Sequence, residues 1–179
     1  DYIFVASGGH GVINGGDGDD EIDADSSSVL AAPSGGYSID GGAGNDLIEG
    51  SSGNDSIVGG SGRNLIEAGL GDDVLTAGTG IDLMSGDQGN DIFKFGAGTV
   101  QAGDAVVGGV ADEQDILEIS ADLDLRPMSI FGITALDLKG NAATASWRQI
   151  NTAAVAEITS SVAGGELIVT GNANLSSLV

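Results

Sequence analysis

The chain has 179 residues, room for one domain or two small ones, and its 32 glycines stand beside only two prolines. Five basic residues face 27 acidic ones, and the resulting formal net charge of −22 argues against nucleic acid or an anionic membrane as a partner. There is no cysteine, hence no disulfide framework, and neither a transmembrane run nor an N-terminal signal peptide is visible.

Residues 1–31 carry a loose form of a nine-residue pattern. Asp1-Tyr-Ile-Phe reads as the tail of a preceding unit, so the chain is expected to be a piece of something longer. ASGGHGVIN (6–14) is a degenerate unit and GGDGDDEID (15–23) a full one, with Asp20 in the sixth place and Ile22 in the eighth. From Ala24 to Ala31 the rule lapses, and an irregular half-turn or surface loop is predicted there. His10 is the only histidine; with no partner cluster around it, it reads as solvated rather than catalytic.

From Ala32 to Lys94 the pattern runs without insertion: APSGGYSID, GGAGNDLIE, GSSGNDSIV, GGSGRNLIE, AGLGDDVLT, AGTGIDLMS, GDQGNDIFK. The fourth place is always Gly. The eighth is apolar (Ile39, Ile48, Ile57, Ile66, Leu75, Met84, Phe93). The sixth is Asp46, Asp55, Asp73, Asp82 or Asp91, with Asn64 and Tyr37 as departures. Three positions held in phase over this length define a repeat array. Its glycine is therefore periodic rather than low-complexity.

These units resemble the RTX, or haemolysin-type calcium-binding, family, whose nonapeptide is G-G-x-G-x-D-x-U-x. GGAGNDLIE matches it at every defined place. The resemblance implies an all-β fold: a right-handed parallel β-roll, two nonapeptides per turn, with Ca²⁺ held in the glycine-rich turns. The physics points the same way. Glycines permit positive φ and close approach of successive turns. The last three residues of a unit suit a short strand with its middle side chain inward. One unit cannot bury its apolar residue alone, so the units must stack. Stacked turns gather carboxylates and peptide carbonyls, a donor set for a hard cation of flexible coordination.

The segment FGAGTVQAGDAVVGGVADEQDILEIS leaves the nonapeptide but resembles the closing segment of RTX arrays, with Asp104 and Asp115 as candidate ligands of a capping ion. Gly108-Gly109 stands where the family has an Asp-Phe pair. The roll is accordingly expected over 1–102, followed by a β-rich capping and secretion-associated region over 103–179. Within that region strands are predicted at 128–138, 143–148 and 166–170, and a short helix capped by Asn151. Trp147 reads as core. The terminal SSLV is similar to the uncleaved type I secretion signals of the family, and the segment from Ile133 on to a module found beside RTX repeats in large bacterial adhesins.

Carried onto this sequence, the family's site takes the second, fourth and sixth places of one turn. It adds the first, third and sixth places of the turn eighteen residues on. That gives at least four sites. On one edge they are Ser51, Gly53, Asp55 with Ala68, Leu70, Asp73, and then Gly69, Gly71, Asp73 with Gly86, Gln88, Asp91. On the other they are Gly42, Gly44, Asp46 with Gly59, Ser61, Asn64, and then Gly60, Gly62, Asn64 with Ala77, Thr79, Asp82. Only sixth-place residues would bind through side chains. Asn64, shared by two ions, is expected to weaken both. In the seventh place Leu47, Leu65 and Leu83 recur every eighteen residues, and a cover is expected over them, either the 121–179 segment or a neighbouring protomer.

Nothing catalytic emerges: no nucleophile motif, no phosphate-binding loop, no EF-hand spacing at Asp17, Asp19 and Asp20. The chain is expected not to be an enzyme. The resemblance implies a calcium-binding structural and secretion module, folding on calcium outside a bacterial cell, secreted or at its surface. Type I secretion machinery and neighbouring domains of a longer chain are its expected partners. The alternative is a polysaccharide- or ice-binding module. Five scattered cations make no basic face for a polyuronate, and no threonine ladder is present.

Overall fold

In the computed structural model the described residues are 1–5, 10–24, 35–109, 113–146, 157–159 and 166–170. They form an all-β parallel solenoid of about seven turns, with no helix among them. One sheet of seven strands is ordered β1 (Tyr2–Phe4), β3 (Glu21–Asp23), β5 (Leu47–Ser51), β7 (Ser61–Gly69), β9 (Thr79–Asp87), β11 (Ala105–Gly109), β14 (Ser129–Phe131). The facing sheet of eight holds β2 (Val12–Asn14), β4 (Ser38–Asp40), β6 (Ser56–Val58), β8 (Val74–Thr76), β10 (Ile92–Phe95), β12 (Ile116–Ile119), β15 (Ala135–Asp137) and β17 (Glu157–Thr159). A third sheet of three strands joins β13 (Leu123–Asp124), β16 (Ala142–Ser146) and β18 (Glu166–Thr170).

The register follows the repeat. Ile48 pairs with Ile66 and Ile66 with Met84 on one sheet; Ile57 pairs with Leu75 and Leu75 with Phe93 on the other. Each step is eighteen residues, two nonapeptides. These eighth-place side chains, with Ile22, Ile39, Val106 and Leu117, fill the space between the sheets and are buried. Each contributes about 1.5–3 kcal/mol relative to exposure. The lapse after Asp23 lengthens a turn without breaking register, because Ile22 still pairs with Ile48 and Ile13 with Ile39. Most of that lapse lies outside the described residues.

Close stacking explains the fourth-place glycine. Gly62 has φ of 114°, and a Cβ there would lie 1.9 Å from the Gly44 carbonyl oxygen of the turn below. No L-residue fits both demands.

Both sheets run past residue 102, since β11 pairs in parallel with β9, and β12 with β10. The expected boundary there coincides with no end of either sheet. The strand expected over 128–138 is two strands in different sheets, parted at Gly132, which turns with φ of 69°. Strands at 142–146 and 166–170 fall where β-rich segments were predicted. Asn151, Trp147 and the C-terminal SSLV lie outside the described residues, while Glu157 and Ile158, at the end of the helix expected over 151–158, stand in β17 and pair with β15 instead. Leu47, Leu65 and Leu83 stack in register as expected, but Leu65 is exposed at 41% and nothing among the described residues covers it.

Candidate metal centre

The sixth-place side chains point inward at the mouth of each turn and form one column along each edge of the roll. Their geometry is repetitive. A sixth-place oxygen accepts the backbone N–H of the sixth-place residue one turn earlier. On the first edge Asp46 Oδ1 takes Asp20 N–H at 2.9 Å, and Asn64 Oδ1 takes Asp46 N–H at 3.0 Å. Asp82 Oδ1 then receives the Asn64 side-chain amide at 2.9 Å, and Asp104 Oδ1 takes Asp82 N–H at 3.0 Å. On the second edge Asp55 Oδ1 takes Tyr37 N–H at 2.5 Å and Asp73 Oδ1 takes Asp55 N–H at 2.7 Å. Asp91 Oδ1 takes Asp73 N–H at 2.9 Å and Asp115 Oδ1 takes Asp91 N–H at 3.0 Å. Asp104 and Asp115, outside the nonapeptide register, therefore close the two columns.

The Asp and Asn residues of these columns are at most 3% exposed. Burying a carboxylate without compensation is costly, so one oxygen bonded per group is not enough. Oδ2 of Asp20, Asp46, Asp73 and Asp91 is buried with no hydrogen-bond partner. Burial, reinforced by the neighbouring acids, pushes the Asp73 carboxyl up to about 8 and that of Asp91 to about 7. Burial also raises Asp46, Asp55, Asp82, Asp104 and Asp115 above the ordinary carboxylate range. The N-terminal amine pairs with Asp20 Oδ1 at 2.6 Å, and no other ion pair among the described residues reaches these carboxyls.

The turns that the carried-over sites join do lie side by side. Ser61 N–H bonds Gly42 O at 2.8 Å, Thr79 N–H bonds Gly60 O at 2.9 Å, Leu70 N–H bonds Ser51 O at 3.0 Å and Gln88 N–H bonds Gly69 O at 3.0 Å. Each such carbonyl keeps a second lone pair. Gly44, Gly53, Gly59, Gly62, Ala68, Gly71, Ala77 and Gly86 belong to these same stacked turns and offer peptide oxygen only. No cluster of three or more His, Cys, Asp or Glu side chains converges among the described residues. Carboxylates meet in successive turns, so a cation here must complete its shell from peptide oxygens. The set fits a hard cation of variable ligand number, Ca²⁺ before Mg²⁺.

Two features escaped the sequence reading. Ser51 was expected to offer its peptide oxygen alone. In the structure its N–H donates to Asp55 Oδ2 at 2.6 Å and its hydroxyl to Asp55 Oδ1 at 3.1 Å, which satisfies both oxygens. A Ser in a glycine place was the available signal. Fifth-place side chains also form ladders of their own. Asp19 Oδ1 accepts Asn45 N–H at 2.8 Å and Asn45 Oδ1 accepts Arg63 N–H at 3.0 Å. On the other edge Asn54, Asp72 and Asn90 do the same for Asp72, Asn90 and Gln114. These bonds run opposite in sense to the sixth-place columns.

The family model for the RTX calcium-binding nonapeptide repeat, in four copies, matches residues 3–28, 38–66 and 67–100. No curated protein and no solved structure matches the chain.

Proposed function

The chain carries RTX calcium-binding repeats over residues 3–28, 38–66 and 67–100, and from that premise we propose that it is a calcium-dependent structural module of a protein exported from a bacterial cell. The observation that carries this reading is the buried, unpartnered Oδ2 of Asp73 and Asp91 within a chain of net charge −22. Bound calcium would supply positive charge where the fold has buried only negative charge. Asp20, Asp46, Asp55, Asp73 and Asp91 would contribute side-chain oxygens, with peptide oxygens of the adjoining turns around them. Asp104 and Asp115 extend the same columns and are proposed to terminate them. The chain's own part is to present these oxygens already stacked, through the backbone ladder and the apolar column between the sheets.

A module of this kind suits export. Inside a cell calcium is scarce, and the acidic chain repels itself. Outside, calcium shifts the equilibrium to the folded roll by mass action. Type I secretion machinery is the proposed carrier, and the roll's work is structural rather than catalytic. Titration calorimetry of the full chain tests the binding. Heat with Ca²⁺ that far exceeds that with Mg²⁺ supports the reading, and Asp73→Asn should weaken it. No saturable binding of Ca²⁺ at millimolar concentration would overturn it.

A further inference from the structure

The six acidic groups from Asp20 to Asp91 are not equivalent. Oδ2 of Asp20, Asp46, Asp73 and Asp91 is orphaned, and of the four only Asp20 has an ion pair, on Oδ1 with the N-terminal amine at 2.6 Å. Asp55 has both oxygens bonded through Ser51. Asp82 receives the Asn64 amide on Oδ1 and Gly78 N–H on Oδ2 at 2.9 Å. Asp104 receives Asp82 N–H on Oδ1 and Gln101 N–H on Oδ2. Asn64 itself, 1% exposed, accepts from Asp46 N–H and donates to Asp82, so both ends of its amide are used.

We infer that the Asn64 amide stands in for a cation, closing the Asn64–Asp82–Asp104 stretch of its edge without metal while the Asp20–Asp46 and Asp73–Asp91 steps require one. A carboxylate cannot donate, whereas a side-chain amide both donates and accepts. At the neighbouring turns of either edge the sixth place is acidic, and a second carboxylate facing the first needs a positive partner. Asn64 provides the donor directly. The roll then contains a metal-independent stretch at the closing end of one edge, preceded by a metal-dependent step. This stretch would keep its stacking at calcium levels that leave the other steps empty.

The inference rests on the calcium-binding reading above, and the experiment separates the two. Native mass spectrometry of the full chain at saturating Ca²⁺ counts bound ions, and thermal melts in chelator report the metal-free fold. Asn64→Asp should bind one ion more than wild type and melt at a lower temperature in chelator, because the donor is replaced by a charge. Asp73→Asn should bind fewer ions, whereas Asp82→Asn should keep the wild-type count. An Asn64→Asp chain with an unchanged ion count and tighter calcium binding would overturn the inference, since Asn64 would then be a ligand already. Loss of ions in Asp82→Asn equal to that in Asp73→Asn would overturn it too, while calcium binding itself stood. A wild-type chain that bound no calcium would bring down both.

Discussion

Oδ1 of Asp91 accepts the backbone N–H of Asp73 at 2.9 Å, while Oδ2 of each carboxylate is buried without a partner. One bond stacks the turns and the remaining oxygens are left for a cation. Asp91→Asn separates the two roles. The amide oxygen can keep the bond to Asp73, and the buried charge is gone. Metal-free stability should therefore rise, while calcium affinity falls about tenfold, close to 1.4 kcal/mol. Melts in chelator and calorimetry in calcium should move in opposite directions.

Acidity should act on the same pair. Burial raises the Asp73 carboxyl to about 8 and that of Asp91 to about 7, against about 3.9 for a free aspartate. A carboxyl raised on folding binds its proton more tightly in the folded state. Between those values folding takes up protons, so the metal-free roll is more stable below about pH 4 to 5 and loses that stability as pH rises towards 8. Far-UV circular dichroism in chelator should show a larger folded fraction at pH 5 than at pH 8. With calcium bound the dependence should flatten or reverse, because ions must displace those protons.

Glycine substitutions test the stacking. Gly18 and Gly62 occupy the fourth place of their units with φ of 115° and 114°. Around Gly18 a Cβ meets nothing within 4 Å, whereas at Gly62 it would strike the Gly44 carbonyl. Gly18→Ala should cost only backbone strain, about 1–3 kcal/mol. Gly62→Ala should cost clearly more. Equal losses in denaturant melts with calcium would mean that the turns are not packed this closely.

The fifth-place ladder should be measurable alone. Asn45 Oδ1 accepts Arg63 N–H and its amide donates to Asp19 Oδ1 at 3.0 Å, all at the exposed rim. Asn45→Ala should cost about 0.5–1.5 kcal/mol, the worth of ordinary hydrogen bonds. The number of bound ions should not change.

The periodic positions were the legible ones. Eighth-place Ile, Leu, Met and Phe announced the buried column, and sixth-place acids announced the edges, because a solenoid repeats its environment whenever it repeats its sequence. Asp104 and Asp115 were visible only through family likeness, since they follow Asp82 and Asp91 by 22 and 24 residues. Loops of unequal length carry the strands back into register there, and no fixed period shows it. The Gly132 turn was hidden for another reason: apolar residues on both sides of it read as one strand. Ser51 and Asn64 act through hydrogen bonds to particular backbone and side-chain atoms, which spacing does not encode.

The central claim is that calcium completes a fold whose edges bury uncompensated carboxylates. Each ion held at tenfold excess over its dissociation constant adds about 1.4 kcal/mol, and a few such ions rival the stability of a small domain. Far-UV circular dichroism of the full chain, first in chelator and then in millimolar calcium, measures this most directly. The account predicts a largely unfolded spectrum at pH 8 in chelator and a β spectrum on adding calcium, with magnesium failing to substitute. Identical β spectra in chelator and in calcium at pH 8 would contradict it.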